Sequence, residues 1–156
     1  MNVSTAHANA VIDACRIPAL NARLALLASA DVSRSTIAFF DGTQPADADT
    51  AEGATAIVTL TMTQAAGVVD EANFKIVLDT PLEEQVANAD AVNGSVPTWA
   101  RIYTPAGAAW ADLSVTVEGD GGEIQLVQTG TDGGGNPEAR LFNGAYARIA
   151  SAEIQG

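Results

Sequence analysis

TWARIYTPAGAAWADLSVTVEGDGGEIQLVQ, residues 98–128, reads as three strands in series. Ala100 and Ile102 alternate with Trp99, Arg101 and Tyr103. Thr104-Pro105-Ala106-Gly107 is a turn. Ala109, Ala111, Leu113, Val115 and Val117 then alternate with Trp110, Asp112, Ser114, Thr116 and Glu118. A second turn at Gly119-Asp120-Gly121-Gly122 precedes Ile124 and Leu126, which continue the apolar face. Alternation with a period of two, broken by Gly/Pro turns, is expected of an antiparallel sheet with one buried face.

Outward from this stretch, the same pattern recurs. Ile37–Phe40 is a short strand, apolar on both sides and so central. Val58, Leu60 and Met62 mark another, and Phe74, Ile76 and Leu78 a third. Leu141 and Phe142, then Ala145, Ala147 and Ile149, predict a last strand. About seven strands at hairpin-like spacing predict a mainly β fold, an antiparallel β-sandwich or small barrel. Its expected core is Val58, Leu60, Met62, Phe74, Ile76, Leu78, Ile102, Leu113, Val115, Ile124, Leu126 and Ile149. The connections at 45–55, 79–97 and 129–139 carry many of the acids and are expected to face solvent. The middle one reads as a helix-bearing loop or flap.

The N-terminal part is different. Val11, Ile12 and Cys15 fall at helical spacing, and Ser4 or Thr5 is placed to cap the start. Pro18 disfavours α geometry at Ile17, so a first helix is expected to end near Arg16 and a second to begin at Pro18. Leu20, Leu24 and Leu27 then form one stripe. A stripe this short has to dock, either on its own domain or on a neighbouring subunit. Because the strands suffice to close a core, Ile17, Leu20, Leu24 and Leu27 are assigned to an inter-subunit interface. The domain division is residues 1–34, a helical arm, and residues 35–156, the β domain.

Composition narrows the function. The chain has 156 residues and a formal charge of −12, with Lys75 its only lysine. Nucleic-acid binding needs clustered Lys and Arg, and anionic lipid repels such a surface. No run approaches the length of a membrane span, and the N-terminus has no basic region before an apolar run. A single cysteine, Cys15, makes neither an internal disulfide nor a Cys-based zinc site. The single histidine, His7, lies near the start of the chain, without a nucleophile motif beside it. Glu118, Asp120 and Glu123 around one Gly-rich turn, with Asp132 in the next loop, offer hard oxygen ligands for calcium. Their spacing matches neither the EF-hand loop nor a Gly-Gly-x-Gly-x-Asp repeat, and turn chemistry explains Asp beside Gly. No catalytic residue, metal or cofactor is assigned. Trp99 and Trp110 flank the 104–107 turn, where they either pair across the hairpin or form an exposed patch.

The order of the pieces carries a resemblance. Asn21-Ala-Arg-Leu24 leads to a strand and then Asp41-Gly42-Thr43-Gln44-Pro45-Ala46; an Ile-Val-Thr-Leu-Thr-Met strand follows, then Trp99-Ala-Arg-Ile-Tyr103 and Gly-Gly-Glu-Ile-Gln-Leu126. Over residues 18–154 this resembles a family of small structural proteins of tailed bacteriophages. The chain departs from that pattern in its first 16 residues, in the 79–97 connection and in the insertion GTDGGGNPEAR. The resemblance implies a virion protein assembled in the host cytoplasm. Its expected partners are the major capsid protein or other virion proteins, and it is expected to form a homo-oligomer. Repulsion from packaged DNA favours the outside of the shell, hence a capsid decoration protein. The alternatives are a tail or head–tail connector component, or a carbohydrate-binding module stacking sugars on Trp99, Trp110 and Tyr103.

Overall fold

Nine strands hydrogen-bond into one curled, mixed sheet, and a helix packs against it. The computed structural model describes residues 4–156, apart from the side chain of Ala8. Helix α1 (Thr5–Ala25) is followed by β1 (Thr36–Phe40), β2 (Val58–Thr61), β3 (Gly67–Asp70), β4 (Lys75–Leu78) and β5 (Leu82–Gln85). Then come β6 (Trp99–Tyr103), β7 (Ala109–Val117), β8 (Ile124–Leu126), β9 (Gly130–Thr131), β10 (Pro137–Glu138) and β11 (Tyr146–Gln155). The sheet order is β2-β1-β6-β7-β8-β11-β4-β3, with β5 on a second edge of β11; β9 and β10 form a separate small hairpin. The mainly β class with an N-terminal helix is as the alternation predicts.

Curling brings β2, at one end of the sheet, beside the segment that follows β5. The carbonyl of Ile57, at the start of β2, accepts hydrogen bonds from the backbone N–H groups of Ala87 (3.4 Å) and Asn88 (3.1 Å), just after β5. The long strand β11 makes this possible. Its first half lies between β8 and β5, its end pairs with β4, and its register shifts between Ile149 and Ser151. Such an irregularity bends a strand and increases its twist. The 79–97 connection therefore holds a strand, β5, where a helix or flap is expected, and it is anchored by buried Val86 and Ala89. Of the 129–139 connection, residues 129–137 are exposed as expected, Glu138 is half-buried and Ala139 is buried in the core.

One expected hairpin is not one. β7 and β8 pair parallel, with Val115 opposite Ile124 and Val117 opposite Leu126. The six residues between them must carry the chain back alongside β7. Gly119 (φ 97°) and Gly121 (φ 77°) allow this reversal, since positive φ strains other residues. A Cβ on Gly122 would sit 2.7 Å from the Thr116 side chain, so that position also has no room. Alternation predicts the strands and their buried face here, yet it carries no information on whether a neighbour runs up or down.

The predicted core residues are buried together, except that Phe74 is half-buried and packs against the rest. Leu60→Ala and Leu113→Ala are each expected to cost about 2–5 kcal/mol, read from urea unfolding. Losses under about 1 kcal/mol at both positions would mean that neither side chain lies in a packed core.

α1 is continuous through Pro18, against the expectation of a break at Arg16. A helix-interior proline costs about 3 kcal/mol. Burying Leu20 and Leu27, at about 1.5–3 kcal/mol each, is enough to offset it. The turn before Pro18 has its own anchor. The Arg16 guanidinium lies 4.1 Å from the Phe74 ring centre and donates to the Gly156 carbonyl at 3.0 Å. Ala14, whose carbonyl loses its partner to the proline ring, is exposed and open to water.

Candidate functional site

The helix presents two faces of opposite character to its surroundings. Ser4 caps its start by accepting a hydrogen bond from the His7 backbone N–H. On one face, Leu20 and Leu27 are 1% and 0% exposed and belong to the main core, with Leu24 packed against it and Ile17 half-buried. This corrects the interface assignment of Ile17, Leu20, Leu24 and Leu27. The stripe is docked on its own chain, against β3 and β4, as part of the main core. The Ser35 hydroxyl, buried beneath, donates to the Leu27 carbonyl at 2.8 Å and ties the helix end to β1. Helix and β domain share one core, so residues 16–27 are structurally part of the body.

The other face stays in solvent. Val11, Ile12 and Leu26 are 51%, 56% and 59% exposed, and Ala14, Cys15, Pro18, Ala19, Ala22 and Ala25 are exposed between them. At 3.6 residues per turn these positions cover roughly 160° of the circumference. Not one of them is charged. The charged residues of α1 point elsewhere: Arg16 and Arg23 reach the body, Arg23 lying 5.4 Å from the Trp110 ring centre, and Asp13 is exposed on the side of the helix opposite this face. A surface helix ordinarily turns its charges to water and its apolar residues inward. Here the inward face is apolar and the outward face is also apolar. In the sequence the leucine stripe is the stronger signal, through its spacing and the size of its side chains. The signal for the other face, Ile12, Cys15, Ala19, Ala22 and Leu26 at alternating steps of three and four, is weaker because three of the five are small.

A second candidate lies on the outer side of the sheet, around Arg101. Its guanidinium is 2% exposed. It forms a bidentate pair with Asp112 (Nε to Oδ1 2.5 Å, Nη2 to Oδ2 2.7 Å) across the β6–β7 register. It also donates to Glu52 Oε1 at 3.1 Å and to the carbonyls of Thr50 at 2.8 Å and Asp47 at 3.4 Å. The Tyr103 hydroxyl donates to the same Glu52 oxygen. The acidic loop 45–55 is thus exposed but strapped to the sheet by a buried cation. Beside it, Ala56 and Tyr103 pack on the cluster of Ala38, Phe40 and Trp99, where Phe40 and Trp99 stack at 4.3 Å and the Arg101 guanidinium lies 5.7 Å from the Trp99 ring centre. Alternation assigns this side of β6 to solvent; the loop closes over it because one side chain satisfies two backbone carbonyls and two carboxylates at once.

Electrostatics follow the contacts. Burial and the hydrogen bond to Glu52 push the Tyr103 hydroxyl up to about 12. The Tyr103 hydrogen bond, with Arg101 beside it, holds Glu52 below its ordinary 4.5. A depressed carboxylate contributes stability that is complete above its unfolded value and is lost as pH falls through the folded one. The 45–55 strap is therefore expected to loosen only below about pH 4.5. An NMR titration of Glu52 checks this, and a midpoint at or above its ordinary value would contradict the strap.

The aromatic platform is not assembled. Trp99 is 1% exposed and lies opposite Ser114, while the register shift at Ile102/Tyr103 turns Trp110 into the main core's side, half-buried. The two rings neither pair nor share a surface, which corrects both readings of the pair. Nor do the acids of the Gly-rich loops converge. Asp132 accepts from the Gly134 and Asn136 N–H groups (2.7 and 2.9 Å) and from the Asn136 side chain (2.9 Å), and Glu138 is bound by Arg140. Asp120, Asp132 and Glu138 border a cleft of about 250 Å³, yet among the described residues no group of three such side chains is spaced to hold a metal ion. No protein-family model, curated protein or solved structure matches this chain.

Proposed function

We propose that this chain is a structural subunit of a larger assembly, without catalytic chemistry, and that in the terms of its sequence resemblance it is a decoration protein of a tailed-phage capsid. The observation that carries the assembly reading is the uncharged outer face of α1, which extends past the body for about 16 Å over residues 5–15. Contiguous exposed apolar surface on an otherwise highly charged protein marks a contact with another macromolecule. The body fits the same role. From Thr36 onward the chain has four basic and seventeen acidic residues, a net of −13, which keeps it soluble before assembly and away from DNA. The phage part of the reading rests on the order of sequence motifs alone.

The test is co-sedimentation of the purified protein with shells assembled from the major capsid protein encoded alongside it. Saturable binding at a fixed ratio to the shell subunit is the expected result. Protein left in the supernatant, together with absence of its peptides from purified virions, would overturn the decoration reading.

A further inference from the structure

We infer that the outer face of α1 is a homodimer contact, in which two copies pack their helices antiparallel about a two-fold axis near Ile17. This rests on the assembly reading and specifies its first partner as a second copy of the same chain. The face is Ile12, Cys15, Ala19, Ala22 and Leu26, in steps of three, four, three and four, which is the seam spacing of a helix pair. All five are exposed in the single chain.

Shape selects the partner and its direction. An antiparallel pair centred on Ile17 sets Ile12 against Ala22 and Cys15 against Ala19, and the symmetry repeats both contacts. Each larger side chain then meets a small one. Leu26 reaches over the first two turns of the partner helix. A parallel pair instead stacks Ile12 on Ile12 and leaves Ala19 on Ala19 and Ala22 on Ala22, with voids between them.

Charge makes the same choice. The segment before Thr36 has three basic and two acidic residues, so the helices meet almost without repulsion, whereas each body carries −13. Parallel helices bring two such bodies to the same end of the pair. Antiparallel helices place them at opposite ends and oppose the helix dipoles favourably. The half of α1 beyond the body gains support as well. Residues 8–15 of one copy lie along the exposed face of residues 19–26 of the other, which supplies the tertiary packing that a short helix in water lacks.

The experiment combines oxidative cross-linking with sedimentation equilibrium on the full chain. Ala19→Cys is expected to give a disulfide-linked dimer under mild oxidation, through Cys15 of one copy and the new cysteine of the other. The unsubstituted protein is expected to give none, since its two Cys15 residues are offset by about 6 Å along the axis. Cross-linking of the unsubstituted protein would establish a parallel pair and overturn the proposal. Ala22→Glu, at an exposed position with folding checked by circular dichroism, is expected to raise the dimer Kd by about tenfold or more. An unchanged Kd, or a wild-type chain that stays monomeric at about 100 times the concentration of a micromolar dimer, would also overturn it. The two proposals fail separately. A monomer that still binds shells removes this contact and leaves the decoration reading, and a dimer that ignores shells does the opposite.

Discussion

Arg101→Ala is expected to destabilise the protein by about 3–5 kcal/mol, the range for breaking a buried pair by removing one partner. The loss comes mostly from what is left behind. Asp112, whose side chain is 4% exposed, would keep a charge with no cation beside it, and the carbonyls of Asp47 and Thr50 would lose their shared donor. The loop 45–55 would then release from the sheet, and the Trp99 ring would lose the guanidinium beside it. Two readouts follow: a lower urea midpoint, and protease cleavage within 45–55 at a denaturant concentration where the wild type resists. Arg101→Met combined with Asp112→Leu removes both charges. It should recover more than half of the stability lost by Arg101→Ala, because the desolvation penalty disappears with the pair. A loss below about 1 kcal/mol in the single variant would mean that water reaches the cluster in solution.

Deleting residues 1–30 is expected to unfold the protein. This reverses the outcome that follows from treating the helix as an arm. Leu20 and Leu27 each fill a fully buried site, and losing a buried leucine costs about 2–5 kcal/mol. Two such losses match the whole stability of a typical domain, about 5–15 kcal/mol. Ser35 would also lose the carbonyl that its buried hydroxyl binds. Leu27→Ala alone should lower the unfolding free energy by about 2–5 kcal/mol. Deletion of residues 1–14 is the contrasting variant. Its described residues are exposed, and the shortened helix would begin with Pro18 in its first turn, a position proline accepts. At a concentration low enough for both chains to be monomeric, that variant should melt near the wild-type temperature. A cooperative, wild-type-like transition after deletion of 1–30 would show that the helix is dispensable to the core.

What the amino-acid order determined here is what depends on neighbours along the chain. Alternation located the strands around 58–62, 74–78 and 98–126 and the side chains they bury, because a strand's two faces follow directly from a period of two. The i, i+4, i+7 spacing likewise marked the Leu20, Leu24, Leu27 stripe as a surface that must be covered. Only the tertiary structure decided what covers it. A stripe's periodicity is the same whether its partner is the chain's own β3 and β4 or another subunit, and the answer depends on a core built from residues distant in sequence. The same reason governs the parallel β7–β8 pair, the bulge that parts Trp99 from Trp110, and the strap at Arg101. Each results from a contact across the sheet or from a residue some fifty positions away, where backbone carbonyls and carboxylates happen to converge on one buried guanidinium. The outer face of α1 lies between these cases. Its residues are plain in the sequence, but their exposure follows from the burial of the leucines opposite them, which the tertiary fold decides.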